Sequence, residues 1–185
     1  MALISQDLYN VGMYYFSKVK PEYYDSIKEY RDETLKIKSR FDGCNCLEDY
    51  EDIEKWDLFN KLFESADSVS PGYSIGFQYL YIDSNEVIGM VNFRPEAELH
   101  PYLSQYGGHI GYSVKPSKRG LGIGKQMLKD FLPIAKECGL SRVLITCMEY
   151  NDASRRIILA NGGEFESKVI YPPEDAVLER YWIKL

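Results

Sequence analysis

The sequence predicts an α/β (α+β) protein, a mixed sheet carrying helices within one domain. Three observations predict it. The 185 residues are 45% hydrophobic and 27% charged, ordinary values for a soluble globular chain long enough to bury a core. Apolar spacing is helical up to about residue 66 and then gives way to short runs broken by turn residues. A cationic, glycine-studded stretch, VKPSKRGLGIGKQMLK at 114–129, joins a strand-like run to a helix-like one.

Each element follows in order. PEYYDSIKEYRDETLKIKSR (21–40) reads as a helix with Pro21 in its first turn. Residues 48–66 read as a second, with Ile53, Trp56, Phe59, Leu62 and Phe63 at helical spacing. FQYLYI (77–82) and EVIGMVNF (86–93) flank the turn DSNE as a hairpin. GGHIGYSV (107–114) is a third strand, whose leading glycines predict a bulge or a close backbone approach. A helix runs from about Gly122 to Cys138, with Gly139 as its C-cap. SRVLITCM (141–148) is a continuous apolar strand, as expected for one covered on both faces. NDASRRIILANGG is a short helix capped by Asn151 and ended by Gly162 or Gly163. Two more strands lie near 165–170 and 178–184. Without repeats or linkers, 1–185 reads as one domain: a helical part over 1–70, a core over 77–166 and strands over 165–185.

Composition excludes several classes. A net charge of −6 and a pI near 5.1 argue against nucleic-acid binding, which lysine and arginine support. No apolar run approaches the roughly 18 residues of a membrane span, and MALISQDLYN lacks the regions of a signal peptide. Cys138 and Cys147 sit in apolar contexts that read as buried thiols of a reducing cytoplasm. Cys44-Asn45-Cys46 lacks a second cysteine pair, and only His100 and His109 could supply nitrogen, so no metal site is expected.

Two familiar phosphate loops fail on the glycine stretch. For a Walker A loop, Gly124-Lys125 is followed by Gln126, and Arg119 stands where the first glycine belongs. For a dinucleotide loop, the third glycine is Lys125 or Met127. What remains is Arg119-x-x-Gly122-x-Gly124 running into a helix. A helix N-terminus offers unpaired N–H groups and partial positive charge, and glycines let a ligand reach those amides. Lys115, Lys118, Arg119, Lys125 and Lys129 add five positive charges with no acid among them. A pyrophosphate suits this chemistry. The alternative is a tight strand-to-helix turn with a solvated rim.

Here the sequence resembles the GNAT superfamily of N-acetyltransferases, clearly so from about 77 to 166. Val114-Lys115-Pro116 matches the family's V-x-P-like strand end, and Arg119-Gly120-Leu121-Gly122-Ile123-Gly124 its [QR]-x-x-G-x-[GA] loop. Asn151, then Ser154, match an Asn that opens a short helix with a small residue three positions later. GGHIGYSVKPSKRGLG, LITC and NGG resemble in particular one little-characterised branch of predicted acetyltransferases.

The resemblance implies a mostly antiparallel, twisted sheet with a central splay, flanked by helices on both faces, and acetyl-CoA as donor without a metal. It implies that the backbone at Tyr112, Ser113 and Val114 pairs with the pantetheine arm. The amides of Gly120, Leu121, Gly122, Ile123, Gly124 and Lys125 then hold the pyrophosphate, with Arg119 supporting the loop. Asn151 and Ser154 would line the far end of the channel, although both also read as ordinary helix-capping residues.

Many relatives carry a proton-donating tyrosine seven positions after the Asn, where this chain has Ile158. Ser154 and Tyr150 are the substitutes within reach. For the base, some relatives place a carboxylate about where His109 stands; His109 reads as base or as buried core residue. Glu149 is a second candidate base, and Glu96, Glu98 and His100 lie in a segment that often borders the acceptor pocket in this family. The acceptor is an amine of a small molecule, a peptide N-terminus or a lysine. Seven carboxylates from Asp42 to Asp57 would attract a cation, or simply solvate a helix face. The family often dimerises, and the C-terminal ERYWIKL offers aromatics for edge pairing. Rival readings are another acyl-CoA donor, a non-catalytic CoA-binding module, and a nucleotide-phosphate domain, which would need a magnesium carboxylate that 107–129 lacks.

Overall fold

Ahead of the helices stand two strands, β1 (Leu8–Val11) and β2 (Tyr14–Lys18), in a computed structural model that describes residues 8–11 and 13–185. The helical part expected over 1–70 thus begins only at residue 21; residues 1–7 and 12 lie outside those described. YYFSK is too short for its alternation to stand out, and it becomes a strand through its partner. Phe16 faces Tyr81 across the ladder, with ring centroids 4.7 Å apart and Phe16 fully buried.

The chain divides into two compact units. The first holds the described residues up to Phe93 together with Tyr112–Gly124. After a 3₁₀ turn at Pro21–Tyr23, α1 spans Tyr24–Lys36; α2 (Ile53–Lys61) starts where Asp52 accepts the Glu54 N–H at 3.1 Å. Both helices are shorter than their apolar spacing suggests, because Lys38 turns left-handed after α1 and Leu62 and Phe63 fall beyond α2. The hairpin is β3 (Phe77–Asp83) and β4 (Glu86–Phe93), closed by Ser84 and Asn85, both at positive φ as a twist-matched two-residue turn requires. With β5 (Ile110–Val114) the five strands run in the order β1-β2-β3-β4-β5. α1 packs on β4 and α2 on β3, burying Ile27, Tyr30 and Trp56 against Leu80, Ile82 and Met90. Cys44-Asn45-Cys46 is a tight left-handed turn, pinned where the Trp56 indole N–H donates to the Cys44 and Asn45 carbonyls at 3.1 and 3.0 Å.

The second unit holds Arg94–Gly111 and Lys125–Leu185. Its sheet, β6 (Arg142–Met148), β7 (Glu164–Tyr171) and β8 (Ala176–Lys184), has the order β6-β8-β7 with antiparallel pairings. β8 is therefore the middle strand, so the edge pairing suggested by ERYWIKL is corrected: both its edges are used within the chain. α4 (Asp152–Ala160) packs on β6. Helix α3 (Ile123–Glu137) opens in the glycine loop and ends at Gly139, which has φ +91°. The third strand starts at Ile110 rather than 107, because Leu103–Gly107 forms one turn of π-helix. Gly108 explains the glycine pair: at φ +64°, a Cβ there would lie 2.5 Å from the Leu144 carbonyl oxygen. Cys147 is buried and Cys138 half-buried. No helix among the described residues is long and apolar enough to cross a membrane.

Candidate functional site

In the first unit the strand-to-helix loop is built by residues distant in sequence. Lys115, only 3% exposed, directly follows β5, and its ammonium lies 2.8 Å from Glu86, 3.4 Å from Glu33 and 3.6 Å from Glu29. Lys118 reaches the second oxygen of Glu86 at 2.6 Å. Two of the five cations counted along the loop are thus neutralised, and the carboxylates come from α1 and β4. No local sequence signal marks these partners. Glu33 also accepts the Ser117 N–H at 3.2 Å, clamping the 3₁₀ turn Pro116–Lys118 to α1. Arg119 is exposed but folds back on the chain, with Nε donating to the Val114 carbonyl at 3.0 Å and a terminal nitrogen to the Ser39 hydroxyl at 3.0 Å. That is a brace for the loop.

The glycines are the part this bracing presents. Gly120 and Gly122 each adopt φ +79°, and the position of a Cβ on either has no other protein atom within 4 Å. Their amides meet no protein acceptor among the described residues. At the start of α3, the first-turn N–H groups have no partner within the helix. Leu121 is 70% exposed, and Lys125 and Lys129 are exposed. A left-handed glycine is needed for the turn, yet the open space beyond it is not filled by the protein. This arrangement can hold an anion against backbone amides. On β5, the Ser113 hydroxyl bonds the buried Tyr30 hydroxyl at 2.8 Å and the Cys44 thiol at 3.1 Å, so its side chain serves the core. Burial pushes the Cys44 thiol up to about 12.

In the second unit His109 is fully buried. Its backbone N–H donates to the Leu144 carbonyl at 2.7 Å, and its ring Nδ1 accepts the Leu144 N–H at 2.9 Å. The ring stands in for a backbone carbonyl, which fixes the proton on Nε2. Nε2 is buried without a hydrogen-bond partner, 4.0 Å from Glu98 Oε1. Burial, opposed by the Glu98 charge, holds His109 below the usual histidine range.

Glu149 is exposed and ion-paired with Lys168. Asn151 caps α4, its Oδ1 accepting the Ser154 N–H at 3.1 Å. The Ser154 hydroxyl hydrogen-bonds Cys147, whose thiol burial pushes up to about 11. Ile158 is fully buried, and a Cβ on Gly163 would meet its Cγ2 at 2.4 Å. An apolar side chain there is a core contact, while Tyr150 is 66% exposed.

Comparison with known proteins agrees with this reading. Similar folds include RimL, a ribosomal L7/L12 alpha-N-protein acetyltransferase in complex with coenzyme A: 18% identity, 96% of this chain and 98% of that one covered, TM-score 0.71. They also include the microcin C7 self-immunity acetyltransferase MccE with acetyl-CoA and AMP, at 13% identity, 95% and 94% coverage and TM-score 0.70. A spermidine N-acetyltransferase chimera from Vibrio cholerae and hSSAT aligns at 12% identity, 94% and 96% coverage and TM-score 0.64. A comparison with curated protein sequences finds no match. The profile of the acetyltransferase (GNAT) family matches residues 25–162, three quarters of the chain, and the chain belongs to the GNAT acetyltransferase family.

Proposed function

We propose that this protein transfers the acetyl group of acetyl-CoA to an amine, by direct attack within a ternary complex. The observation that carries the donor assignment is the pair Gly120 and Gly122, left-handed, facing open space, with free amides on a braced loop. The amides from Gly120 to Lys125 would hold the pyrophosphate, and the backbone at Tyr112, Ser113 and Val114 the pantetheine arm. The Val114 carbonyl already accepts from Arg119, so Arg119 supports the loop through that bond and its bond to Ser39. Assignment of Asn151 and Ser154 to the donor rests on the family resemblance.

An amine must lose its proton before it attacks. We assign His109 to strand pairing and not to the base, since the lone pair a base needs is occupied by the Leu144 N–H. Glu149 at the β6–α4 corner is the remaining base candidate, free to act through water once Lys168 moves aside. The departing thiolate, with a thiol pKa of about 8.5, leaves without an obligatory donor. The burial of Ile158 is therefore compatible with turnover, and Ser154 or Tyr150 would assist. Four free cysteines accord with a reducing cytoplasmic location.

Titrating CoA and acetyl-CoA calorimetrically into the protein and a Gly122→Trp variant tests this reading. Micromolar binding by the parent, lost in a variant of native circular dichroism, is expected. A folded parent that binds neither would end the acetyltransferase proposal for this loop.

A further inference from the structure

Helix α2 of the first unit is apolar on both sides. Its inner side buries Ile53 and Trp56. On its outer side Leu58 and Leu62, one helical turn apart, are 57% and 53% exposed. Beside them runs a row of rings. Tyr50 lies 5.4 Å from Phe59, Phe59 5.1 Å from Phe63 and Phe63 5.7 Å from Tyr73, centroid to centroid. The row is tied down at its far end, where the Gly76 N–H donates to the Phe63 carbonyl at 2.9 Å and folds the loop carrying Tyr73 back onto the helix end. Tyr73 is itself 64% exposed. The pairs 58/62 and 59/63 are neighbouring stripes on one helix, so these side chains form a patch and are not singly scattered apolar residues.

The charge around the patch indicates what would cover it. Of the seven carboxylates from Asp42 to Asp57, three are used within the unit. Asp42 pairs with Arg40 at 3.2 Å, and Asp52 caps α2 and lies 3.6 Å from Lys55. Asp57 is buried and accepts from Tyr24 and Lys61 at 2.8 and 2.9 Å. The other four, Glu48, Asp49, Glu51 and Glu54, are exposed and form no ion pair among the described residues. Asp49 and Glu51 flank Tyr50 of the ring row, and Glu54 stands one turn before Leu58. Such a rim repels nucleic acid, an anionic lipid surface and, in a chain of net charge −6, the same face of a second copy. Its complement is apolar and basic.

We propose that this face of α2 docks a basic amphipathic helix of another protein. The partner's apolar stripe would cover Leu58, Leu62 and the ring row, and its lysines or arginines would meet the four free carboxylates. The inference uses neither the glycine loop nor the acyl donor, so it stands or falls apart from the acetyltransferase reading.

Fluorescence anisotropy tests it with three labelled peptides: leucine and lysine at amphipathic helical spacing, the same peptide with glutamate for lysine, and the same with glutamine for leucine. The full chain is used as parent, as Leu58→Gln/Leu62→Gln and as Glu51→Gln/Glu54→Gln. Because these side chains are exposed, all three should melt alike. The parent is expected to bind the leucine–lysine peptide at micromolar concentration and the other two about tenfold or more weakly. The leucine variant should lose about tenfold or more in affinity for it. The glutamate variant should lose about threefold or more and show a shallower salt dependence. Amide shifts in an NMR titration of the parent should change chiefly along α2. No binding by the parent, affinity unchanged in a folded leucine variant, equal affinity for the glutamate peptide, or shifts centred elsewhere would each overturn the proposal. So would a parent that sediments as a dimer beside a monomeric leucine variant, since the occupant would then be a second copy.

Discussion

Lys115→Met removes the ammonium at the centre of three carboxylates and is the sharpest test of how the glycine loop is held. Breaking a fully buried pair costs about 3–5 kcal/mol, but Glu86, Glu33 and Glu29 have side chains 34%, 36% and 69% exposed, and exposed pairs contribute about 0–1 kcal/mol each. Lys118 also remains on Glu86. The expected loss is therefore about 2 kcal/mol, a drop of about 4–8 °C in Tm for a chain of this length. The pH dependence follows from the same cluster. Burial, the largest single influence, would raise Glu33 and Glu86 and lower Lys115. Hydrogen bonds and charges reverse it, so both carboxylates sit below their usual range and Lys115 above its own. Depressed carboxylates contribute stability above about pH 4.3 and lose it as pH falls through their folded values; the raised lysine contributes below about pH 10.4 and loses it as pH rises. The Tm difference between parent and variant should then be greatest between about pH 5 and 10 and shrink on either side. Scanning calorimetry from pH 3 to 11 measures it. A difference under about 1 °C at pH 7, or one that ignores pH, would refute the argument.

Three further outcomes follow from particular contacts. Gly122→Ala incurs only the left-handed backbone cost of about 1–2 kcal/mol, because its Cβ meets no protein atom; its Tm should match that of Gly122→Trp within about 2 °C while CoA affinity separates the two, and a much lower Tm for the tryptophan variant would show the space to be protein-lined. Gly108→Ala adds a clash 2.5 Å from the Leu144 carbonyl to its positive φ, so a loss of about 2–4 kcal/mol in a denaturant titration is expected, and a neutral result would mean the strands do not approach as described. His109→Gln can still accept the Leu144 N–H, so its acid limb in a kcat/KM–pH profile should overlay the parent's; a hundredfold loss with native stability would restore His109 as the base.

Much of this protein is local and was legible along the chain. The hairpin at 77–93, the continuous strand at 142–148, the Asn151 cap and the glycine loop opening α3 depend on period, turn chemistry and capping within a few residues. The loop and cap motifs were enough to suggest the family. Tertiary structure decided what depends on distant partners. β2 exists because β3 pairs with it, and the loop's lysines are neutralised by Glu29, Glu33 and Glu86, far away in sequence. A count of charges along 114–129 therefore overstated the positive field there. Histidine at 109 could be base or core on sequence alone, and the Leu144 N–H on Nδ1, which only the fold supplies, is what supports the core reading. Local conformation is written in nearest neighbours, whereas charge, protonation and partnership are set by whatever the folded chain brings within a few ångströms.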